Sequence, residues 1–155
     1  AASVLLSVYD VFSLFEQVVP GDITFAMSII AESDKPVLTA SMVPLQAGMT
    51  VADRTAYDVI VIPALLLPAS GWRAGNHPQL MEWLRYQYQQ GAVMCSACSG
   101  IFPLLETGLF DDQPVTCHWY YEPMLRRAFP QANICIEKAL QISDDQRLIM
   151  SGASA

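Results

Sequence analysis

Along the first twenty residues the apolar positions Val4, Val8, Val11, Phe12, Phe15 and Val19 recur at three- and four-residue spacings. That period predicts an amphipathic helix, stopped by Pro20-Gly21. Ile23 to Ile30 reads as a strand, followed by shorter extended pieces from Val37 to Val43. Val59-Ile60-Val61-Ile62 is a β-branched run with no polar alternation, the pattern of a strand covered on both faces by helices. After a Pro/Gly-rich loop, Asn76-His77-Pro78 opens a helix carrying Leu80, Leu84 and Tyr88 on one face and ending at Gly91. Ala92 to Cys95 is a short buried strand that turns into a helix from about Ser99 to Thr107, stopped by Gly108. Pro114 to Cys117 is extended, and Pro123 to Phe129 is a short helix closed by Pro130. Ile134 to Ile136, Leu140 to Ile142 and Leu148 to Met150 complete the strands. Strands alternating with helices predict the α/β class: a three-layer helix-sheet-helix sandwich around a mostly parallel, flavodoxin-like sheet. Chemistry in such folds gathers at the carboxyl ends of the strands.

Composition narrows the class. With 53% of 155 residues apolar and only 15% charged, the chain has the material for one domain, residues 1–155, and disorder is excluded. Eight Lys and Arg face fifteen Asp and Glu, a formal charge of -7, so this segment itself lacks the clustered cations that hold a phosphate backbone. The longest apolar run, Val59 to Ala69, is broken by Pro63 and Pro68 and is too short for the roughly 20 residues that span a bilayer. The apolar start has no basic flank and contains Asp10, unlike a signal peptide. Cys95, Cys98, Cys117 and Cys135 fit reduced thiols in a cytoplasm better than a disulfide scaffold.

Candidate chemistry centres on Cys98. A buried strand turning without a linker into a helix, flanked by Ser96, Ala97, Ser99 and Gly100, describes a nucleophile elbow, in which small residues permit a tight reversal. The plain alternative is a buried structural thiol. Cys95 and Cys98 also spell C-x-x-C, a dithiol signature, although the end of a strand need not aim both thiols to one side. Zinc would need a second ligand pair, which Cys117-His118 is too compressed to supply. His118 follows an extended piece and is the histidine best placed to act as a base for Cys98, though no carboxylate is evident to orient it, and a capping role is equally open. Trp119, Tyr120 and Tyr121 either wall a ligand pocket or pack as core.

The run from Cys95 to Trp119, CSACSGIFPLLETGLFDDQPVTCHW, resembles the PfpI/ThiJ superfamily of the class I glutamine-amidotransferase-like fold. It looks most like the version at the N-terminus of AraC-type transcriptional regulators. Tyr9-Asp10-Val11-Phe12, the strand from Tyr57 to Pro63, and Leu125 to Pro130 agree with that family in order. Enzymes of the superfamily carry an acidic residue near the first helix that contacts the cysteine; Val4, Leu5 and Leu6 stand in the matching region. Pro63-Ala64-Leu65 replaces a Pro-Gly-Gly loop, and Asp112-Gln113 replaces an Asp-Gly. The family's first strand has no counterpart before Val4, and the segment from Leu148 to Ala155 resembles the one that precedes two helix-turn-helix units.

The resemblance therefore implies a non-catalytic ligand-sensing and dimerising domain, with Cys98, Ser99, Gly100, His118 and Trp119 lining the effector site. It implies no cofactor and no metal, a homodimer, a small-molecule effector, and DNA contact only through a C-terminal domain absent from this chain. Cys98 and His118 remain the catalytic candidates under the alternative of a stand-alone cysteine hydrolase or hydratase acting on a small carbonyl, amide or isonitrile.

Overall fold

The computed structural model describes residues 2–153, which form two compact units divided between Asp53 and Arg54. The first unit opens with helix α1, Ala2–Val18, as its periodicity predicts. None of its side chains is buried, however: Leu6, Val11, Leu14 and Val18 are all more than half exposed. The helix is closed by rings, Phe25 meeting Phe12 at 4.7 Å and Phe15 at 5.8 Å, while the Phe25 N–H donates to the Glu16 carboxylate. The strand predicted over Ile23–Ile30 shrinks to β1, Ile30–Ala31, because its only partner is the equally short β4, Met49–Thr50, which runs parallel to it. Between them β2, Val37–Leu38, and β3, Pro44–Leu45, make a small antiparallel hairpin.

The second unit is built on a four-stranded sheet. β5 is Val59–Ile62 and β6 is Val93–Ala97, which ends two residues beyond the expected Cys95. β7, Pro114–Val115, pairs in parallel with β8, Asn133–Ile134, outside that sheet. β9, Leu140–Ile142, and β10, Leu148–Ser151, complete the order β5-β6-β10-β9, in which only β9 is antiparallel. Register aligns Ile60, Met94 and Leu148 in one row and Ile62, Ser96, Met150 and Gln141 in the next. Met94, Leu148 and Met150 are fully buried, so this face is the core face. β5 is not covered throughout, since Val59 at its start is 46% exposed, and β5 is an end strand in the order of this sheet.

Helix α2, Pro78–Gln89, begins on the proline whose missing N–H costs nothing at a first turn. Its buried face is Met81, Trp83, Leu84 and Gln87, rotated from the expected Leu80, Leu84 and Tyr88. Gln87 explains the difference. Its Nε2 donates to the Thr55 carbonyl at 2.7 Å and its Oε1 accepts from the Tyr57 N–H at 3.0 Å, so a buried amide fixes the entry to β5 with both ends satisfied. At the far end of α2, Arg147 lies over the Tyr88 ring at 4.0 Å and donates to the Tyr88 and Ala92 carbonyls, tying the helix end to the start of β6. Helix α3, Ile101–Glu106, packs on α2 and β6 and is almost wholly buried. Helix α4, Glu122–Ala128, carries Glu122 in its first turn and Arg126 and Arg127 in its last, matching its dipole. No helix among the described residues is long and apolar enough to cross a membrane.

Candidate functional site

β6 stays extended through Ala97 and the chain then reverses at Cys98, whose φ is 54°. A non-glycine residue in the left-handed region costs about 1–3 kcal/mol and persists only where its surroundings enforce it. Here they do so on both sides. The 3₁₀ turn Cys98–Gly100 leads directly into α3, and every residue of that turn is buried. A Cβ on Gly100 would collide with the Ile62 carbonyl oxygen and lie 2.8 Å from that of Pro63, so the turn presses against the carboxyl end of β5 and only glycine fits. The elbow foreseen from small residues is present, and the reason for its glycine is a neighbouring strand.

Ser99 has a different task. Its Oγ donates to the Leu65 carbonyl at 2.7 Å and accepts from the Leu65 N–H at 2.8 Å. One hydroxyl thereby acts as a strand partner for the loop that leaves β5, and it takes up a backbone donor beside the elbow. Removing it strands two backbone groups, so Ser99→Ala is expected to cost about 2 kcal/mol. Urea denaturation would read that loss, and limited proteolysis would show faster cleavage between residues 63 and 77.

Glu106, at the end of α3, ties the same loop further along. Its Oε2 accepts from the Trp72 indole N–H at 2.6 Å and its Oε1 from the Gly75 N–H at 2.8 Å. Trp72 is held between His77, stacked at 5.5 Å, and Phe102 at 6.0 Å. No role for Glu106 follows from sequence reasoning; the only signal is its place ahead of the helix-ending Gly108.

His118 stands three residues beyond β7, half-buried. Its Nδ1 accepts from the Tyr120 N–H at 3.2 Å and so caps the 3₁₀ turn Trp119–Tyr121, leaving that nitrogen without a proton in this arrangement. Trp119 is 68% exposed, with its ring 5.0 Å from that of His118. From Trp119 the ring contacts continue through Tyr120 and Tyr121 to the buried Phe102. None of the three rings is itself buried, and Tyr121 joins the run to the core through Phe102.

The C-x-x-C pairing is excluded by strand geometry. β6 extends through Ala97, so Cys95 and Cys98 stand three extended residues apart, roughly 10 Å at about 3.3 Å per residue, beyond the ~7 Å Cα limit of a disulfide. Cys98 acts electrostatically on Cys117, which the sequence reading weighed only as half of a zinc pair. Burial, the charge of Cys98 and that of Glu122 push the Cys117 thiol up to about 12, against Arg126, which acts the other way. An unfolded thiol ionises near 9.0, so folding keeps Cys117 protonated where the open chain would release its proton. That contribution is complete below pH 9 and is lost as pH rises towards 12. Denaturation midpoints should fall over that window, and fall less in Cys117→Ala.

A mostly parallel α/β sheet with a left-handed cysteine at the junction of its central strand and a helix defines a cysteine-elbow domain. Residues 2–153 match the DJ-1/PfpI family, and the chain belongs to it. It is 28% identical over 123 residues to the HTH-type transcriptional regulator CdhR of Pseudomonas aeruginosa, a match spanning 77% of this chain and 36% of that protein. The chain thus corresponds to little more than a third of that relative's length. Among solved structures it is similar to a candidate transcriptional regulator from Vibrio parahaemolyticus (TM-score 0.79, 17% identity, 97% of this chain and 77% of that one). An AraC family transcriptional regulator from Pseudomonas putida gives a TM-score of 0.72 at 17% identity, over 96% of this chain and 76% of that one. The fold class expected from the order of elements is the one found.

Proposed function

We propose that this chain is the ligand-sensing and dimerising domain of an AraC-type transcriptional regulator, non-catalytic, with DNA contacted by a further segment of a longer protein. The observation that carries this reading is the commitment of Ser99, Glu106 and His118 to holding structure. Ser99 and the Leu65 N–H satisfy each other, both Glu106 oxygens hold the Trp72–Gly75 loop, and His118 Nδ1 caps a turn. Proton transfer at sulfur needs a positioned acid or base free to exchange, and Ser99, both Glu106 oxygens and His118 Nδ1 are engaged elsewhere. The similarity to CdhR supports the regulatory role, and the charge of -7 supports placing DNA contact elsewhere.

In this reading a small effector rests against Cys98, His118 and the exposed Trp119, with Ser99 and Gly100 shaping the floor from behind. The domain works in a cytoplasm, where its thiols stay reduced. Ligand shifts the protein between two dimer arrangements only so far as it binds one better than the other. Differential scanning fluorimetry of the full-length protein against small amines, amino-acid derivatives and carboxylates tests this, together with sedimentation velocity. Expected are a dimer and at least one compound that raises the midpoint in wild type and not in Trp119→Ala. A monomer with no responding compound would contradict the proposal.

A further inference from the structure

Residues 66–76 cross from the end of β5 to the start of α2 on few attachments. Leu65, just before them, is fixed by its two bonds to Ser99; Pro78, just after, starts α2, whose Met81 and Leu84 are buried. Between those anchors, and among the described residues, the hydrogen bonds that tie the segment to another element are the two accepted by Glu106, from the Trp72 indole and the Gly75 N–H. The bond from the Gly71 N–H to the Pro68 carbonyl is internal. Leu66 is 78% exposed, and Arg73 to Asn76 face solvent. Gly71 and Gly75 turn the chain at φ of 82° and 84°, and a Cβ on either would meet nothing within 4 Å, so they are corners of the backbone and not points of close packing. A segment with so few inward contacts lies at the low end of local stability. Its inward side chain, Trp72, rests on the fully buried Phe102, whose ring also meets Tyr121 at 6.5 Å. Tyr121 ends the turn that His118 caps.

We propose that residues 66–76 are a strap that opens and closes as one piece, with Glu106 as its latch, and that closure of the strap orders the His118–Tyr121 turn through Phe102. The latch is chemically matched. An ionised carboxylate only accepts, and both groups facing Glu106 only donate, so each oxygen takes one bond. On opening, the same donors and acceptors pass to water, which keeps the difference between the two states small enough to be biased. Phe102 is gripped from one side by Trp72 and from another by Tyr121, so release of the first ring removes packing that the second depends on. Coupling of this kind is reciprocal: whatever orders the turn also favours the closed strap. In the regulatory reading, on which this last step rests, an effector against Trp119 draws the strap shut.

The test is hydrogen–deuterium exchange of the full-length protein, read by mass spectrometry on peptides covering residues 66–76, 118–121 and β6. Glu106→Gln turns an amide NH₂ towards one of the two donors and so breaks the match. Exchange is expected to rise about tenfold, evenly across 66–76, and about threefold over 118–121, with β6 as in wild type. Trp72→Phe keeps a ring for Phe102 while deleting the indole donor, and should give the same pattern at smaller amplitude. An unchanged strap in both variants would overturn the proposal. So would a rise confined to 66–76, or one shared equally by β6. No effector or DNA enters this measurement, so its failure would leave the regulatory reading standing, and a ligand screen without a response would leave the strap.

Discussion

Phe102→Ala is expected to destabilise the protein by about 4 kcal/mol, the range for removing a buried aromatic ring. Phe102 is fully buried one turn beyond the elbow and is the hub at which three ring contacts meet: Trp72 at 6.0 Å, Tyr121 at 6.5 Å and Phe129 at 6.1 Å. Its loss leaves a cavity beneath both the Trp72 loop and the Trp119–Tyr121 turn, and neither can collapse far, since Glu106 and His118 hold them from outside. At about 2–4 °C per kcal/mol for a chain of this size, the melting temperature should fall by roughly 8–16 °C. Calorimetry measures it directly. A fall of under about 2 °C would show that the ring cluster is not a packed unit.

Gly100→Ala is the second large effect, with about 3 kcal/mol expected. Overpacking usually costs about 1–3 kcal/mol because flexible neighbours yield. The atoms facing Gly100 are the Ile62 and Pro63 carbonyls, which are backbone and cannot rotate away. Relief requires the Cys98 turn to separate from β5, so this substitution should change the elbow as well as stability. Faster alkylation of Cys98 in Gly100→Ala, alongside a lower urea midpoint, would show that separation. An unchanged midpoint would mean that the turn does not press on β5.

How far the sequence reveals this arrangement depends on the range of the interaction involved. Val59–Ile62 and Leu140–Ile142 were readable because β-branched runs and flanking breakers are local signals. Ile23–Ile30 misled because its composition suits a strand, but partners for it end at Ile30–Ala31. The face of α2 misled for a chemical reason: hydrophobicity assigns Gln87 to solvent, whereas two backbone groups from residues 55 and 57 bury it. At the site, Cys98 was legible because a tight turn demands small neighbours. The jobs of Ser99 and Glu106 were not, since their partners lie 31 to 34 residues away across the fold.

The commitment of Ser99, Glu106 and His118 Nδ1 to holding structure is the point on which the proposed regulatory reading stands. Alternative cysteine chemistry on a small carbonyl, amide or isonitrile would need such a group and would depend wholly on the Cys98 sulfur. Steady-state turnover of a small α-oxoaldehyde, measured side by side for wild type and Cys98→Ala, decides between them. Equal rates, no higher than the uncatalysed reaction, are predicted. Turnover by wild type that disappears in Cys98→Ala would contradict the account.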